Sequence, residues 1–226
     1  MVTNSANNLI YLTFLICSCL PPKRDSCIDI AFHYETEKRH ELAISTLSSC
    51  IETASISSRA KMYLIRGRNY HQLSEYDLAI RDYNSSIELD SNQSGAYYYR
   101  GVARFHMGDD SGAVVDFNRS LANKSLPTPG FYVDKTDMFD PYRLEVESYV
   151  IKYDRGISNY NIQQFDQSLE DFIVAESHGY KLPEVFYNIG LIYFIKEDRL
   201  TACRYMKKAA ELRYKDAEPY LLEYCR

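Results

Sequence analysis

Between Ala60 and Leu121 the chain states one pattern twice, and this limits its possible folds more than any other property. Arg66-Gly67 returns as Arg100-Gly101, Ala79-Ile80 as Ala113-Val114, Asp82 as Asp116 and Ser86 as Ser120, each 34 residues on. A fixed period of that length marks one supersecondary unit that cannot bury its apolar side alone and buries it against the next copy. Within a copy, Tyr63, Gly67 and Tyr70 follow a helical spacing, and Ala79 is followed four residues later by Tyr83. Leu73-Ser74-Glu75 and Met107-Gly108-Asp109-Asp110 supply the stops between helices. The unit is a helical hairpin. Gly67 and Gly101 accept their helix cost of up to about 1 kcal/mol because a side chain there would push the paired helix away.

The period extends in both directions. Gly156 and Gly190 are 34 residues apart, as are Ala175 and Ala209. Gly101 and Gly156 are 55 apart, so about 21 residues are inserted. The insertion falls in 123–142, where Pro127, Pro129, Gly130 and Pro141 forbid a continuous helix. The helix after Pro141 is expected to be longer than its counterparts, from near Tyr142 to about Tyr160. Upstream, Ala31, Tyr34, Ala43 and Leu47 place a first unit at about 25–53. At the far end, Tyr220, Leu221 and Tyr224 form the stripe of a last helix from about Asp216, covering helix 198–211.

The aromatic–Gly–aromatic pattern, followed by Ala and an aromatic, resembles the tetratricopeptide repeat, with Tyr and Arg replacing its usual Trp and Leu. The run ACRYMKKAAEL before Asp216-Ala217 also resembles the related Sel-type repeat. The resemblance covers about 25–225 apart from the insertion. It implies an all-α fold: a right-handed solenoid of five helix–turn–helix units plus a C-terminal capping helix, one domain over 25–226.

In that family the first helices line a concave groove, and ligand contacts come from fixed positions around the Gly. Three residues before it stand Leu64, Tyr98, Tyr153 and Tyr187; one after it, Arg68, Val102, Ile157 and Leu191; four after it, His71, Phe105, Tyr160 and Phe194. The family members that clamp a peptide carboxylate use Lys and Asn at the first two sets. The resemblance here implies instead a tyrosine-rich apolar trough for a polypeptide segment, centred on Leu64, Arg68, His71, Tyr98, Phe105, Tyr153, Tyr160, Tyr187 and Phe194. The alternative is that part of this stripe packs against the insertion and closes the groove.

Residues 9–20 form an apolar run too short to span a bilayer, which takes roughly 20 residues, and suited to an export signal. Ile16-Cys17-Ser18-Cys19 resembles a bacterial lipoprotein box, implying export over 1–19, lipid on Cys19 and a linker at 20–24. The other reading is a hydrophobic first helix capping the stack. Four cysteines remain, two at each end of the array. Cys27 and Cys50 are centred between Lys38 and Arg39, and Cys203 and Cys225 on Tyr214, each inside a polar turn. Residues equidistant from a turn face each other in a helical hairpin, so each pair is placed for a disulfide. Four buried thiols in a reducing compartment is the alternative.

Net charge of −5 argues against a polyphosphate or bilayer surface bound by bulk electrostatics. The five His show no metal-ligand spacing, and no phosphate loop or nucleophile elbow occurs. Asp134, Asp137 and Asp140 recur every third residue and fail the calcium-loop template, so they read as a solvated loop. Asn-x-Ser tripeptides begin at Asn84, Asn92, Asn118 and Asn123, two on packed helices, and read as chance. The expectation is a non-catalytic adaptor with a protein or peptide partner, no cofactor, no metal and no nucleic acid. Its membrane contact is through the N-terminal lipid only, in the cell envelope (periplasm or outer membrane), against a cytoplasmic alternative. A structural, self-assembling envelope protein is the alternative function. An enzyme with its site at the insertion is a further one.

Overall fold

In a computed structural model, residues 24–123 and 146–225 are described. They form eleven helices: α1 (Arg24–Thr36), α2 (His40–Ile51), α3 (Ile56–Gln72), α4 (Tyr76–Leu89), α5 (Ser94–His106), α6 (Asp110–Ala122), α7 (Ser148–Asn161), α8 (Phe165–Ser177), α9 (Leu182–Ile195), α10 (Arg199–Glu211) and α11 (Ala217–Tyr224). Each odd helix from α1 to α9 packs on the next as a hairpin, giving the five expected units, and α11 lies against α10. The described residues contain no strand. The export segment with Cys19, and most of the insertion with its three aspartates, lie outside the described residues.

Each hairpin closes on the same close approach. A Cβ added to Gly67 would lie 2.6 Å from the Tyr83 ring, and one on Gly101 2.9 Å from the Phe117 ring. Gly156 meets Phe172 and Gly190 meets Met206 in the same way. Ala79 and Ala113 present their carbonyls to the two glycines. The hairpin turns also share one geometry. Lys38, Ser74, Gly108, Gln163 and Glu197 take left-handed backbone angles, and the next residue's amide bonds a carbonyl five residues back, as in Glu75 to Tyr70 at 2.9 Å. This is the helix-ending Schellman turn, built mostly without its usual glycine.

An arginine ladder holds the three middle units. Arg66, Arg100 and Arg155 each donate Nε and Nη2 to both oxygens of Asp82, Asp116 and Asp171, at 2.6–2.9 Å. The remaining Nη1 reaches the second helix of the preceding unit, at Ser48, Asn84 and Asn118. Burial pushes the Asp82 carboxyl up, and Arg66 pulls it down by less. Two Asn-x-Ser tripeptides thereby gain a reason. Asn84 and Asn118 accept from the ladder, while Ser86 and Ser120 donate to the carbonyls of Ala60 and Ser94. Both tripeptides lie on packed helices, as expected, and their residues serve the packing.

The end units replace the ladder with covalent ties. Cys27 is bonded to Cys50, with Cα atoms 6.6 Å apart, and Cys203 to Cys225 at 5.5 Å. Ile189 and Tyr205 stand where the last unit would carry Arg and Asp. One expectation fails. α7 begins at Ser148, not near Tyr142, because Glu147 is extended (φ −61°, ψ 142°) and serves as N-cap. At 14 residues α7 matches its counterparts in length.

Candidate functional site

First helices approach one another along the stack: α1 touches α3, α3 touches α5 and α5 touches α7. Second helices make no contact of that extent among the described residues. The stack therefore curves with first helices on the inner face, which carries the candidate residues.

The structure distributes those residues unevenly. Leu64 is fully buried with Tyr83 and Ala96, so its place is in the core and its assignment to a groove is corrected: α5 packs over it. Arg68 is bound to Glu35 at 2.9 Å and stacks on Tyr99, which occupies its charge within the fold. His71 forms a triangle of rings with Tyr76 and His106, all centroids 5.2 Å apart. Burial, and then the charge of His106, pushes His71 down to about 4. At the other end, Tyr187 and Phe194 pack on Tyr220 of α11. The capping helix thus occupies the place a sixth unit would take and covers this end of the stripe. Tyr160 packs edge-on against Phe165.

The middle of the stripe is different. Between units three and four lies a cavity of about 240 Å³. Its apolar walls are Val102 and Phe105 of α5, Phe117 of α6 and Ile157 of α7. Tyr153, Asp154, His106 and Lys181 complete it. Of the positions expected from sequence, Phe105, Tyr153, Val102 and Ile157 meet here. Tyr98 stands behind them and donates its hydroxyl to Asp154 Oδ2 at 2.7 Å. Lys181, exposed at the start of α9, holds its ammonium 4.5 Å from the Tyr153 ring and 5.5 Å from that of Tyr180. Burial pushes the Asp154 carboxyl up. The Tyr98 hydrogen bond and the charges of Lys181 and His106 pull it down.

Sequence reading missed Asp154, His106, Phe117 and Lys181. Asp154 stands two residues before Gly156, where the preceding units have Ile65 and Tyr99, so no periodicity marks it. The first and last units carry Asp29 and Asn188 there, so the position varies between polar and apolar and gives no signal. Among the described residues no group of three metal-ligating side chains occurs.

Gly–aromatic hairpins stacked with their first helices inward define an α-solenoid of the peptide-repeat class. Family models then give the repeat its name. Residues 67–108 match the TPR repeat and residues 183–216 the tetratricopeptide repeat. The chain carries tetratricopeptide repeats. It is 32% identical over 82 residues to human tetratricopeptide repeat protein 13, an alignment spanning 36% of this chain and 9% of that protein. Among solved structures, a MamA protein superposes with a TM-score of 0.64 at 20% identity, covering 89% of this chain and 94% of that one. YrrB, described as a TPR protein with an unusual peptide-binding site, superposes at 0.63 and 18% identity, covering 85% of each chain. Both likenesses show the fold.

Proposed function

We propose that the chain is a non-catalytic scaffold that binds a polypeptide segment on its inner face, anchored at the cavity between α5 and α7. That cavity carries the reading. It is a part of the stripe where apolar side chains from two units face a common space, uncovered by α11 and unclaimed by an internal ion pair. Such a concave apolar site with a few convergent polar groups is the usual form of a recognition pocket. YrrB, which shares the fold, has a peptide-binding site, and this supports the class of partner. The test is capture of proteins from the native source by the full chain and by a Phe105→Ala/Ile157→Ala variant. A protein retained by the first and lost from the second, with both variants folded, supports the reading; equal retention by both sinks it.

We further propose that the chain is exported and held at the cell envelope by lipid on Cys19. The two disulfides favour this, since such bonds persist in oxidising compartments. Cys19→Ser should move the protein from the membrane to the soluble fraction and abolish labelling by a fatty acid.

One observation favours a second reading, self-assembly. Leu200, 85% exposed, and Leu222, 64% exposed, flank the Cys203–Cys225 bridge at the end of the array. Sedimentation equilibrium separates the two: a monomer at all concentrations dismisses assembly, and a dimer dissociated by Leu222→Glu supports it.

A further inference from the structure

Asp154 is an unusual group to leave at the wall of an apolar cavity. Among the described residues it has one hydrogen-bond donor, Tyr98, and no ion-pair partner. A carboxylate offers about four acceptor positions, so most of its capacity is unused. The three buried aspartates and half-buried Glu35 are answered from within: Asp82 by Arg66, Asp116 by Arg100 and Arg104, Asp171 by Arg155, and Glu35 by Arg68. Lys181, whose charge is felt at Asp154, makes no salt bridge with it and lies over the faces of two tyrosines. A carboxylate partly removed from water with no salt bridge carries a desolvation cost that a charged ligand group in contact with it would relieve.

We propose that this cavity receives one basic side chain, arginine or lysine, from the bound segment. Its methylene stem lies along Val102, Phe105 and Ile157, and its charged head sits on Asp154. The inference rests on the peptide-binding reading above and adds what that reading leaves open, the residue that is read. The chemistry fits at both ends. Long basic side chains bury their stems on apolar surface while the head seeks a charge, and a guanidinium also stacks on aromatic faces such as Phe105 and Tyr153. The chain's net charge of −5 favours approach of a basic segment. An acidic side chain would meet Asp154 as a like charge in a partly desolvated space.

The test uses the full chain and a random-sequence peptide library displayed on phage, with selected peptides resynthesised and measured by fluorescence anisotropy. The expected result is a shared Arg or Lys beside an apolar residue, whose replacement by norleucine weakens binding by about tenfold or more. That penalty should vanish in Asp154→Asn, because the amide keeps the Tyr98 hydrogen bond but offers no charge. If Asp154→Asn does not fold, Lys181→Ala decides. Removing a competing cation from the cavity mouth should leave binding of the basic peptides as tight or tighter, and weaker binding overturns the proposal. Peptides that bind with no basic preference, or with an acidic one, sink this inference and leave the scaffold reading standing. Recovery of no peptide at all removes both.

Discussion

Tyr98 donates its hydroxyl to Asp154 across the interruption of the repeat, joining residues 56 positions apart with a 2.7 Å hydrogen bond. It is the one donor to that carboxylate among the described residues. A hydrogen bond to a charged group contributes about 1.5–3 kcal/mol, and loss of the donor leaves the acceptor partly desolvated. Tyr98→Phe should therefore lower stability by about 2 kcal/mol in urea denaturation. An unchanged midpoint would mean that water already serves Asp154.

The same chemical change should have the opposite sign at Tyr83. Its ring lies over Gly67 and is fully buried, and its hydroxyl has no partner. The matching positions in the next two units are Phe117 and Phe172, which fill the space without a polar atom. Tyr83→Phe is expected to raise stability by about 1 kcal/mol by removing a buried, unsatisfied hydroxyl. A loss of stability in the same denaturation assay would reveal a partner for the oxygen.

The ladder can be tested at Arg155 and Asp171, where the carboxylate side chain is 3% exposed. Breaking a buried pair from one side costs about 3–5 kcal/mol, because the partner charge is stranded, whereas replacing both sides by apolar groups is often near neutral. Arg155→Met should thus be more damaging than Arg155→Met/Asp171→Leu. The last unit, with Ile189 and Tyr205 at these positions, already lives without the pair. A double variant as unstable as the sum of the single ones would show no coupling.

Glu197 turns the fifth hairpin with φ of 61°, a conformation that costs residues with a Cβ. Gly108 makes the same turn in the third unit at no such cost. Glu197→Gly should raise stability by about 0.5–1 kcal/mol, the excess of relieved strain over glycine's added chain entropy. A lowered melting temperature would show that Glu197 makes a contact outweighing the strain.

His71 sets an acid limit. Burial first, and His106 second, lower its pKa from 6.5 to about 4 in the folded chain. Between those values the unfolded chain binds a proton that the folded chain does not. Stability from this group is therefore complete above about pH 6.5 and is lost as pH falls toward 4. His71→Phe, which copies Phe105 and Phe194 at the same repeat position, should flatten that part of a plot of melting temperature against pH. An equally steep plot would assign the loss to other groups.

How much was legible follows from the range of each interaction. The five hairpins, the capping helix and both cysteine pairings came from spacing alone, since contacts within a hairpin sit at fixed separations along the chain. Arg66 and Asp82 were visible as periodic letters, but not as a bidentate pair, because nothing in the pattern states which side chains face across two helices. The start of α7 was misplaced for a local reason: a proline announces where a helix cannot continue, and says little about where the next one begins.

By itself, the sequence determined the repeated unit, its length and its stacking, because a hairpin of one size with one apolar side has one way to hide it. Only the tertiary structure decided which part of the inner face the other described residues leave uncovered. α11 closes one end, α5 buries Leu64, Glu35 claims Arg68, and the junction of units three and four leaves Asp154 without a salt bridge among the described residues. Those outcomes depend on contacts between units, which the repeated letters do not state; Asp29 stands at the same repeat position as Asp154 without marking it as a site.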